Sequence, residues 1–452
     1  MYRVFIFILI FTLGLLSRCF GQNIRMEFPH FAGKTYEFII FQGSSAKKVL
    51  EGKIPEDGRF VLSVPKEYVP YTGMCRWLIT GTEEGGGLDM VIPGKDFSVR
   101  CLSEKPDNSN IVYTGSTETV RLNALHVTQE QIFARHDAMF QATKAFSQTD
   151  RNYPIFMKEY QKQLETYEHF QTTLKGESSY AAKFLKIVNI TLGIGPKIEN
   201  SEEKRAQDIS KYITEELNWG DLYTSGHWTA VISSWVDINT QVFKDKNLFA
   251  SDFAMISKKL NDKKQYIDFA NRVAHILSEQ GKDDFISIIA PMVIASGKIE
   301  KYEGALAVYN KGIVGSFAPD LVLDREINGK KEKLIFKSNE LSGENDQKTL
   351  LVFYNSECGP CDSLLQELSQ SFPRINSKGI RIICISSDTN ETQFRNKAKT
   401  FPWKDAYCDL EGIKGENFRN FGVIGTPSLV LIDTDGKILA RGTYLREIEV
   451  SL

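Results

Sequence analysis

The spacing of apolar residues divides the chain into three parts, and the first part has the pattern of β strands. From about Asn23 to Cys101, short runs of branched and aromatic residues alternate with turn signals such as Asp57-Gly58 and Gly94-Lys95. These runs are YEFIIF, RFVLSVP, CRWLITG and LDMVIPGKDFSVRC. Strands at this spacing are typical of small antiparallel sheets, so we predict a small β-sandwich-like domain over residues 22–105.

In the second part, from about Gly115 to Val314, apolar residues recur at steps of three and four. The segment PIFMKEYQKQLETYEHFQTTL places such residues at Phe156, Tyr160, Leu164, Tyr167, Phe170 and Leu174. A stripe of this kind is one face of an amphipathic helix, and its aromatic side chains are typical of a protein core. The segments NRVAHILSEQ and DDFISIIAPMVIASG continue the pattern, which predicts a helical region over residues 106–314.

The third part alternates between strand and helix signals. KTLLVFYNS and GIRIICISSD are nearly continuous apolar runs, as expected for buried parallel strands, and a helical stretch lies between them. NETQFRNKAKTF indicates a further helix, and PSLVLIDTDGKILARG indicates a hairpin that turns at Asp435-Gly436. A strand–helix–strand unit followed by a hairpin predicts an α/β domain with a mixed sheet over residues 315–452.

The amino terminus has the pattern of an export signal. The apolar run from Val4 to Leu16 is shorter than the ~20 residues that a membrane-spanning helix needs, and small residues precede a cut before Gln22. We interpret residues 1–21 as a cleaved secretory signal peptide and expect a soluble mature protein in the periplasm or cell envelope. A retained anchor is one alternative, and lipidation of Cys19 is another, although Arg18 fits a lipidation signal poorly.

Composition narrows the possible functions. The 452 residues are 42% hydrophobic and 25% charged, which is ordinary for a soluble globular protein. The net charge is -2 and the chain has no basic stripe, so we expect no nucleic acid partner. Cleavage would leave six cysteines, namely Cys75, Cys101, Cys358, Cys361, Cys384 and Cys408. Spacing alone leaves their pairing open, including a Cys75–Cys101 or a Cys384–Cys408 disulfide.

Cys358 and Cys361 stand where the first strand of the α/β domain ends and a helix begins. The helix N-terminus carries partial positive charge, which should lower the pKa of the Cys358 thiol from ~8.5 toward ~7 or below. Pro360 is tolerated in the first turn, where a missing N–H costs little. Because Cys361 lies one turn further on, it can attack a mixed disulfide formed at Cys358.

Two other uses of the cysteine pair are weaker. A zinc site needs further ligands, but the last histidine is His275, before the α/β domain, and neither Cys384 nor Cys408 repeats a paired spacing. We therefore predict no metal and no cofactor. A purely structural disulfide is the other alternative, but CxxC at a strand-to-helix turn is specific for redox chemistry.

The motif ECGPC followed by GTPSLVLIDTDGKI resembles the thioredoxin-like fold, in particular the secreted thiol–disulfide oxidoreductases of the TlpA/ResA type. GSFAPDLVLD resembles the start of such domains, and the β-rich and helical segments resemble amino-terminal extensions found on them. The resemblance implies that Cys358 attacks, that Cys361 resolves, and that Pro427 follows a cis peptide bond and faces both cysteines. It also implies that Thr426 presents backbone groups to an extended substrate.

This chain departs from the family pattern in three places. Glu357 stands where tryptophan often precedes the first cysteine, and a carboxylate there opposes thiolate formation. Val352 stands where thioredoxin has a buried acid, so a proton moving to or from Cys361 must use another group or water. The chain also stops soon after LREIEVSL, which predicts a last helix that is short or absent.

These observations favour a secreted thiol–disulfide oxidoreductase, and a reductase in particular. It would act on protein disulfides and be re-reduced by a membrane electron donor, while the region before Gly315 would govern partner choice without redox chemistry. A peroxiredoxin would need threonine and proline where Asn355 and Leu351 stand. The other alternative is a ligand- or partner-binding envelope protein with an accessory redox domain, which a binding assay on domain deletions would distinguish.

Overall fold

The computed structural model describes residues 22–83, 85–199, 201–327, 330–341, 347–449 and 451–452. The predicted signal peptide, residues 1–21, lies outside the described residues. The chain divides into two compact units. The first comprises the residues up to 42 together with 46–130 and 177–183, and the second comprises 43–45, 131–176 and 184–452. The domain boundaries given above therefore stay predictions.

The first unit contains two four-stranded sheets, with strand orders β4-β1-β7-β8 and β3-β2-β5-β6. The strands are β1 Asn23–Glu27, β2 Thr35–Gln42, β3 Ser45–Lys53, β4 Arg59–Ser63, β5 Thr72–Thr80, β6 Gly87–Pro93, β7 Phe97–Cys101 and β8 Ile111–Thr114. Their alternating residues point into one shared core, which includes Ile24, Phe38, Trp77 and Val99. Period-two alternation therefore builds the two sheets around a single apolar layer.

Helices follow from Glu118 onward. They are α1 Glu118–Ala145, α2 Tyr153–Gly176, α3 Tyr180–Thr191, α4 Glu202–Lys211, α5 Trp219–Tyr223, α6 Trp228–Asp237, α7 Lys246–Lys259, α8 Lys263–Glu279 and α9 Asp283–Ala295. The stripe predicted on α2 is partly or fully buried throughout, with Tyr167 and Leu174 almost inaccessible. Within the second unit, fully buried Trp228, Trp235 and Phe269 form the centre of a large aromatic core.

The second unit also contains a five-stranded sheet and a two-stranded sheet. Its elements are β9 Leu321–Ile327, β10 Lys330–Phe336, β11 Lys348–Tyr354, α10 Gly359–Ser377, β12 Ile380–Ser386, α11 Glu391–Ala398, β13 Asp405–Cys408, α12 Glu416–Asn420, β14 Ser428–Asp433, β15 Ile438–Gly442 and α13 Leu445–Ile448. The main sheet has the order β13-β12-β11-β14-β15, and β9 pairs with β10. β11 is parallel to β12 and antiparallel to β14, so the sheet is mixed.

The position of β11 at the centre of this sheet explains its composition. Six consecutive residues, Thr349–Tyr354, are buried, because one face packs against the core that contains α10 and the other against a second apolar cluster. A strand covered on both faces has a continuous apolar run in place of alternation.

The predicted fold class is confirmed: an α/β domain with a mixed sheet follows strand-rich sheets and a helical region. The last helix, α13, has only four residues. β3 was not predicted from the sequence. Its residues, SAKKVLEGK, are mostly exposed in the structure, so the sequence carries no apolar face that would indicate a strand. Among the residues that the structure describes, no helix has both the length and the apolar character needed to cross a bilayer.

Candidate functional site

The site lies at the junction between β11 and α10. Cys358 is the N-cap residue of α10, with an extended backbone at φ −92° and ψ 112°, and Pro360 lies in the first turn. β11 ends at the edge of the sheet. The apolar face of α10 packs against the sheet through Leu364, Leu365 and Leu368. The local sequence therefore fixes where the helix starts and places a sulfur atom at its positive end.

Cys358 and Cys361 form a disulfide, with their Cα atoms 5.2 Å apart. The backbone N–H of Cys361 donates to Sγ of Cys358 at 3.2 Å. Cys358 is half-buried, whereas Cys361 is fully buried. Cys358 is therefore the more accessible of the two residues, while Cys361 is shielded by the core.

The loop before β14 brings the other two predicted site residues to the cysteine pair. The Thr426–Pro427 peptide bond is cis, as the sequence predicts. The carbonyl oxygen of Thr426 lies 3.6 Å from Sγ of Cys358. Because β14 runs antiparallel to β11, with Ser428 opposite Phe353, the start of β14 lies at the same edge of the sheet as the end of β11. The structure thus brings together Cys358, Cys361, Thr426 and Pro427.

The loop that precedes Cys358 is held by a residue that the sequence analysis missed. The buried carboxylate of Asp388 accepts hydrogen bonds from the backbone N–H of Ser356 at 2.9 Å and from its hydroxyl at 2.5 Å. Asp388 follows β12, which is parallel to β11, and the carboxyl ends of parallel strands meet at one edge of a sheet. The signal was the acidic residue at the end of GIRIICISSD.

The structure also places the two residues that depart from the family pattern. The side chain of Glu357 is exposed and accepts a hydrogen bond from the side-chain amide of Gln393 at 2.6 Å. Val352 is fully buried in the core beneath α10. The position of a buried acid is therefore occupied by an apolar contact, while the carboxylate beside Cys358 faces solvent.

The other four described cysteines are free thiols, so neither of the two further disulfides left open by spacing is formed. Cys384 is buried in β12, where it accepts a hydrogen bond from the indole N–H of Trp403 at 3.1 Å. Burial raises the pKa of the thiols of Cys75, Cys384 and Cys408. In the described part of the chain, no group of three or more histidine, cysteine, aspartate or glutamate side chains could hold a metal ion.

A cavity of about 350 Å³ opens beside the cysteine pair within the second unit. Pro360 and the segment Gly425–Ser428 line one side of it. Ser278, Glu279 and Asp283, from the end of α8 and the start of α9, line another side. The helical region thus supplies part of the wall of the candidate site.

A buried ion pair fixes that wall. Nε of Arg441 lies 3.1 Å from a carboxylate oxygen of Asp283, and the two side chains are only 6% and 14% exposed. Three of the other four guanidinium N–H groups donate to carbonyl oxygens, those of Gly312, Phe421 and Gly422. Burial raises the pKa of the Asp283 carboxyl, and the positive charge of Arg441 opposes that shift.

Comparison with known proteins agrees with this geometry. Residues 345–438 match the family model described as thioredoxin-like. The thiol–disulfide oxidoreductase ResA of Bacillus cereus is 28% identical over 150 residues, which are 33% of this chain and 81% of that protein. Nucleoredoxin of Danio rerio is 30% identical over 93 residues, which are 20% of this chain and 22% of that protein.

Solved structures include a thioredoxin-like protein from Bacteroides caccae, with 17% identity and a TM-score of 0.39. The match covers 57% of this chain and 96% of that chain. The C-terminal domain of a putative thiol–disulfide oxidoreductase from Bacteroides thetaiotaomicron has 24% identity and a TM-score of 0.27, covering 31% of this chain and 93% of that one.

Proposed function

We propose that this thioredoxin-like thiol–disulfide oxidoreductase works as a reductase of protein disulfides outside the cytoplasm. The observation that carries the proposal is the disulfide between half-buried Cys358 and buried Cys361, with the Thr426 carbonyl oxygen 3.6 Å from Sγ of Cys358. The arrangement provides one accessible sulfur, on Cys358, and one buried sulfur, on Cys361. It also places a backbone hydrogen-bond acceptor, the Thr426 carbonyl oxygen, beside the accessible sulfur. A structural disulfide would need none of these three features.

The reaction starts from the reduced pair. The Cys358 thiolate attacks one sulfur of a substrate disulfide, so that a bond forms between Cys358 and that sulfur while the substrate S–S bond breaks. The released substrate sulfur takes up a proton. Cys361 then loses its proton and attacks Sγ of Cys358, which closes the Cys358–Cys361 disulfide and releases the second substrate thiol. Two electrons pass from the protein to the substrate, whose two sulfurs take up two protons: the equivalent of the one that Cys361 loses and one from solvent.

The surroundings of each sulfur suit its step. The start of α10 stabilises negative charge on Cys358, and the N–H of Cys361 donates to that same sulfur. Burial protects Cys361 from alternative partners until the mixed disulfide has formed nearby. Since Val352 supplies no carboxyl group, the proton lost by Cys361 passes to the departing substrate sulfur or to water.

Two further parts of the proposal come from the sequence. The pattern of residues 1–21 supports export, and the protein would then work in the periplasm or cell envelope. After each turnover the Cys358–Cys361 disulfide needs two electrons and two protons from a dithiol donor. In that compartment we propose a membrane-bound thiol carrier as the donor.

The test is a redox titration of the intact chain together with an insulin reduction assay. A Gly-Pro pair between the cysteines resembles the reducing members of the fold, so we expect a potential closer to thioredoxin's ~−270 mV than to the ~−120 mV of a strong oxidant. The reduced protein should also reduce insulin, and the Cys358→Ser variant should not. A potential of ~−120 mV would instead indicate a protein that oxidises substrate thiols.

A further inference from the structure

We propose that the corner between α8 and α9, residues 278–283, is a specificity wall that selects substrates with basic residues next to their disulfide. The inference rests on the proposed function and adds the chemistry of the preferred substrate. It starts from the cavity of about 350 Å³ that this corner shares with Pro360 and Pro427. Thr426, which also lines the cavity, has its carbonyl oxygen 3.6 Å from Sγ of Cys358, so a polypeptide whose disulfide reaches Cys358 can extend into the cavity.

The wall is held firmly against the redox site. Asp283 is paired with Arg441, which also binds the Phe421 and Gly422 carbonyl groups just ahead of the Thr426–Pro427 loop. Gly281 has φ 66°, and a Cβ atom built there would lie 2.5 Å from the hydroxyl of Thr443. The backbone of the corner therefore packs directly against the segment that follows β15. Because both contacts are close, the wall keeps a fixed position relative to Cys358.

The charges of the cavity define the preferred substrate. Among the charged residues that line the cavity, Arg441 and Asp283 neutralise each other, so Glu279 contributes the remaining charge, while Lys282 belongs to the corner but does not line the cavity. The Glu279 side chain is 64% exposed, and one of its carboxylate oxygens lies 3.3 Å from Nε2 of His275. A lysine or arginine side chain in the cavity can therefore pair with Glu279.

Hydrogen-bonding groups complete the match to an extended polypeptide. Thr443, Tyr444 and Thr426 line the cavity, and each carries a hydroxyl group as well as backbone hydrogen-bonding groups. Such groups can serve the peptide N–H and C=O groups of any sequence. The cavity can thus accept a peptide segment. The Glu279 carboxylate then favours a segment with positively charged residues beside its disulfide over one with negatively charged residues there.

The experiment compares two oxidised peptides that differ only in having two lysines or two glutamates beside the disulfide. The pre-reduced intact chain is mixed with each peptide at pH 8 and low ionic strength, and the second-order rate constants are measured. The readout is the ratio of the lysine-peptide rate to the glutamate-peptide rate within one protein, which is independent of the active fraction. Glu279→Lys is the test variant, and Glu165→Lys, an exposed position on α2, is the matched control.

We expect the wild-type ratio to favour the lysine peptide about threefold to tenfold, since exposed charge pairs are individually weak. The Cys358 thiolate and Glu357 favour the lysine peptide in every variant, so the decisive quantity is the change in the ratio. Glu279→Lys should lower it at least about threefold, Glu165→Lys should leave it unchanged, and high salt should shrink the difference.

A ratio that falls no further in Glu279→Lys than in Glu165→Lys would overturn the specificity wall while leaving the reductase proposal intact. Failure of the reduced wild-type protein to reduce either peptide would instead overturn the proposed function, and the specificity wall with it.

Discussion

The cysteines of the amino-terminal sheets and those at the start of α10 have different surroundings and therefore different chemistry. Cys75 in β5 and Cys101 in β7 both point into the sandwich core and are almost inaccessible. Cys358 lies at the junction between a strand and a helix, half exposed and beside the Thr426 carbonyl group. Because a helix start stabilises a thiolate, the contrast predicts that Cys358 is the reactive thiol and that Cys75 and Cys101 are not.

Both regions contain buried cysteines, but the expected consequence of burial differs between the two. In the sandwich it raises the pKa of Cys75 and keeps that sulfur as a neutral thiol. At the redox site the buried residue is Cys361, which forms a disulfide with Cys358, three residues before it in the sequence. In the proposed mechanism the buried Cys361 has a role because the more accessible Cys358 lies beside it.

The largest effect should follow from removing the exposed sulfur. Cys358→Ser eliminates the nucleophile, so the rate of insulin reduction should fall at least ~1,000-fold. Cys75→Ser, in the sandwich core, serves as the control and should retain activity. An active Cys358→Ser protein would break the comparison, because the chemistry would then reside elsewhere.

Cys361→Ser should have a different consequence, because it leaves the first step intact. The variant should form mixed disulfides through Cys358 and fail to release them, so that substrates remain covalently attached. Non-reducing electrophoresis followed by mass spectrometry would identify the trapped proteins. The same trap attempted with Cys101→Ser should capture nothing, and capture there would contradict the assignment.

Alkylation kinetics of the reduced protein should sharpen the comparison thiol by thiol. At pH 7.5, chosen as roughly one unit below the ordinary cysteine pKa of ~8.5, iodoacetamide should label Cys358 at least ~10-fold faster than Cys361. Cys75 and Cys384 should stay unlabelled in the folded protein, because burial both shields them and raises their pKa. Peptide mapping after timed quenching measures each rate, and faster labelling of Cys361 would reverse the proposed roles.

The smallest predicted effect concerns the acid stability of the first unit. Arg121 forms two hydrogen bonds with Glu177, at 2.9 and 2.6 Å, and lowers the pKa of its carboxyl from 4.5 to about 2. The charged form is favoured in the fold, so this contribution is present above pH 4.5 and is lost as the pH falls toward 2. The pair should contribute about 0.5–1 kcal/mol at neutral pH.

Arg121→Ala should therefore lower the free energy of unfolding at pH 7 and have little effect near pH 2. Urea titrations at the two pH values measure this difference, and Arg135→Ala, at an exposed position on the same helix, is the control. An equal loss at both pH values would show that Arg121 acts through packing and not through the charge of Glu177.

Local sequence patterns predicted the strand and the helix that carry the two active-site cysteines. They did not predict contacts between segments that are distant in the sequence. The apolar run of β11 and the Cys-Gly-Pro-Cys motif suffice to place α10, because both signals lie within a few residues of the junction. Asp388 and Arg441 were missed as site residues, because their partners Ser356 and Asp283 lie far away in sequence. A single arginine in the otherwise apolar strand ILARG was the available signal, but it does not identify the carboxylate that neutralises it.

Arg441 also limits how the redox domain can be moved into other proteins. Its guanidinium group is held by Asp283 and Gly312, which precede residue 315, as well as by two carbonyl groups from within the domain. A chain cut at 315 would lack Asp283 and Gly312, so Arg441 would lose its counter-charge and one of its carbonyl partners. The smallest portable piece therefore reaches back to α9, so that the helical region and the redox site would be inherited and exchanged together.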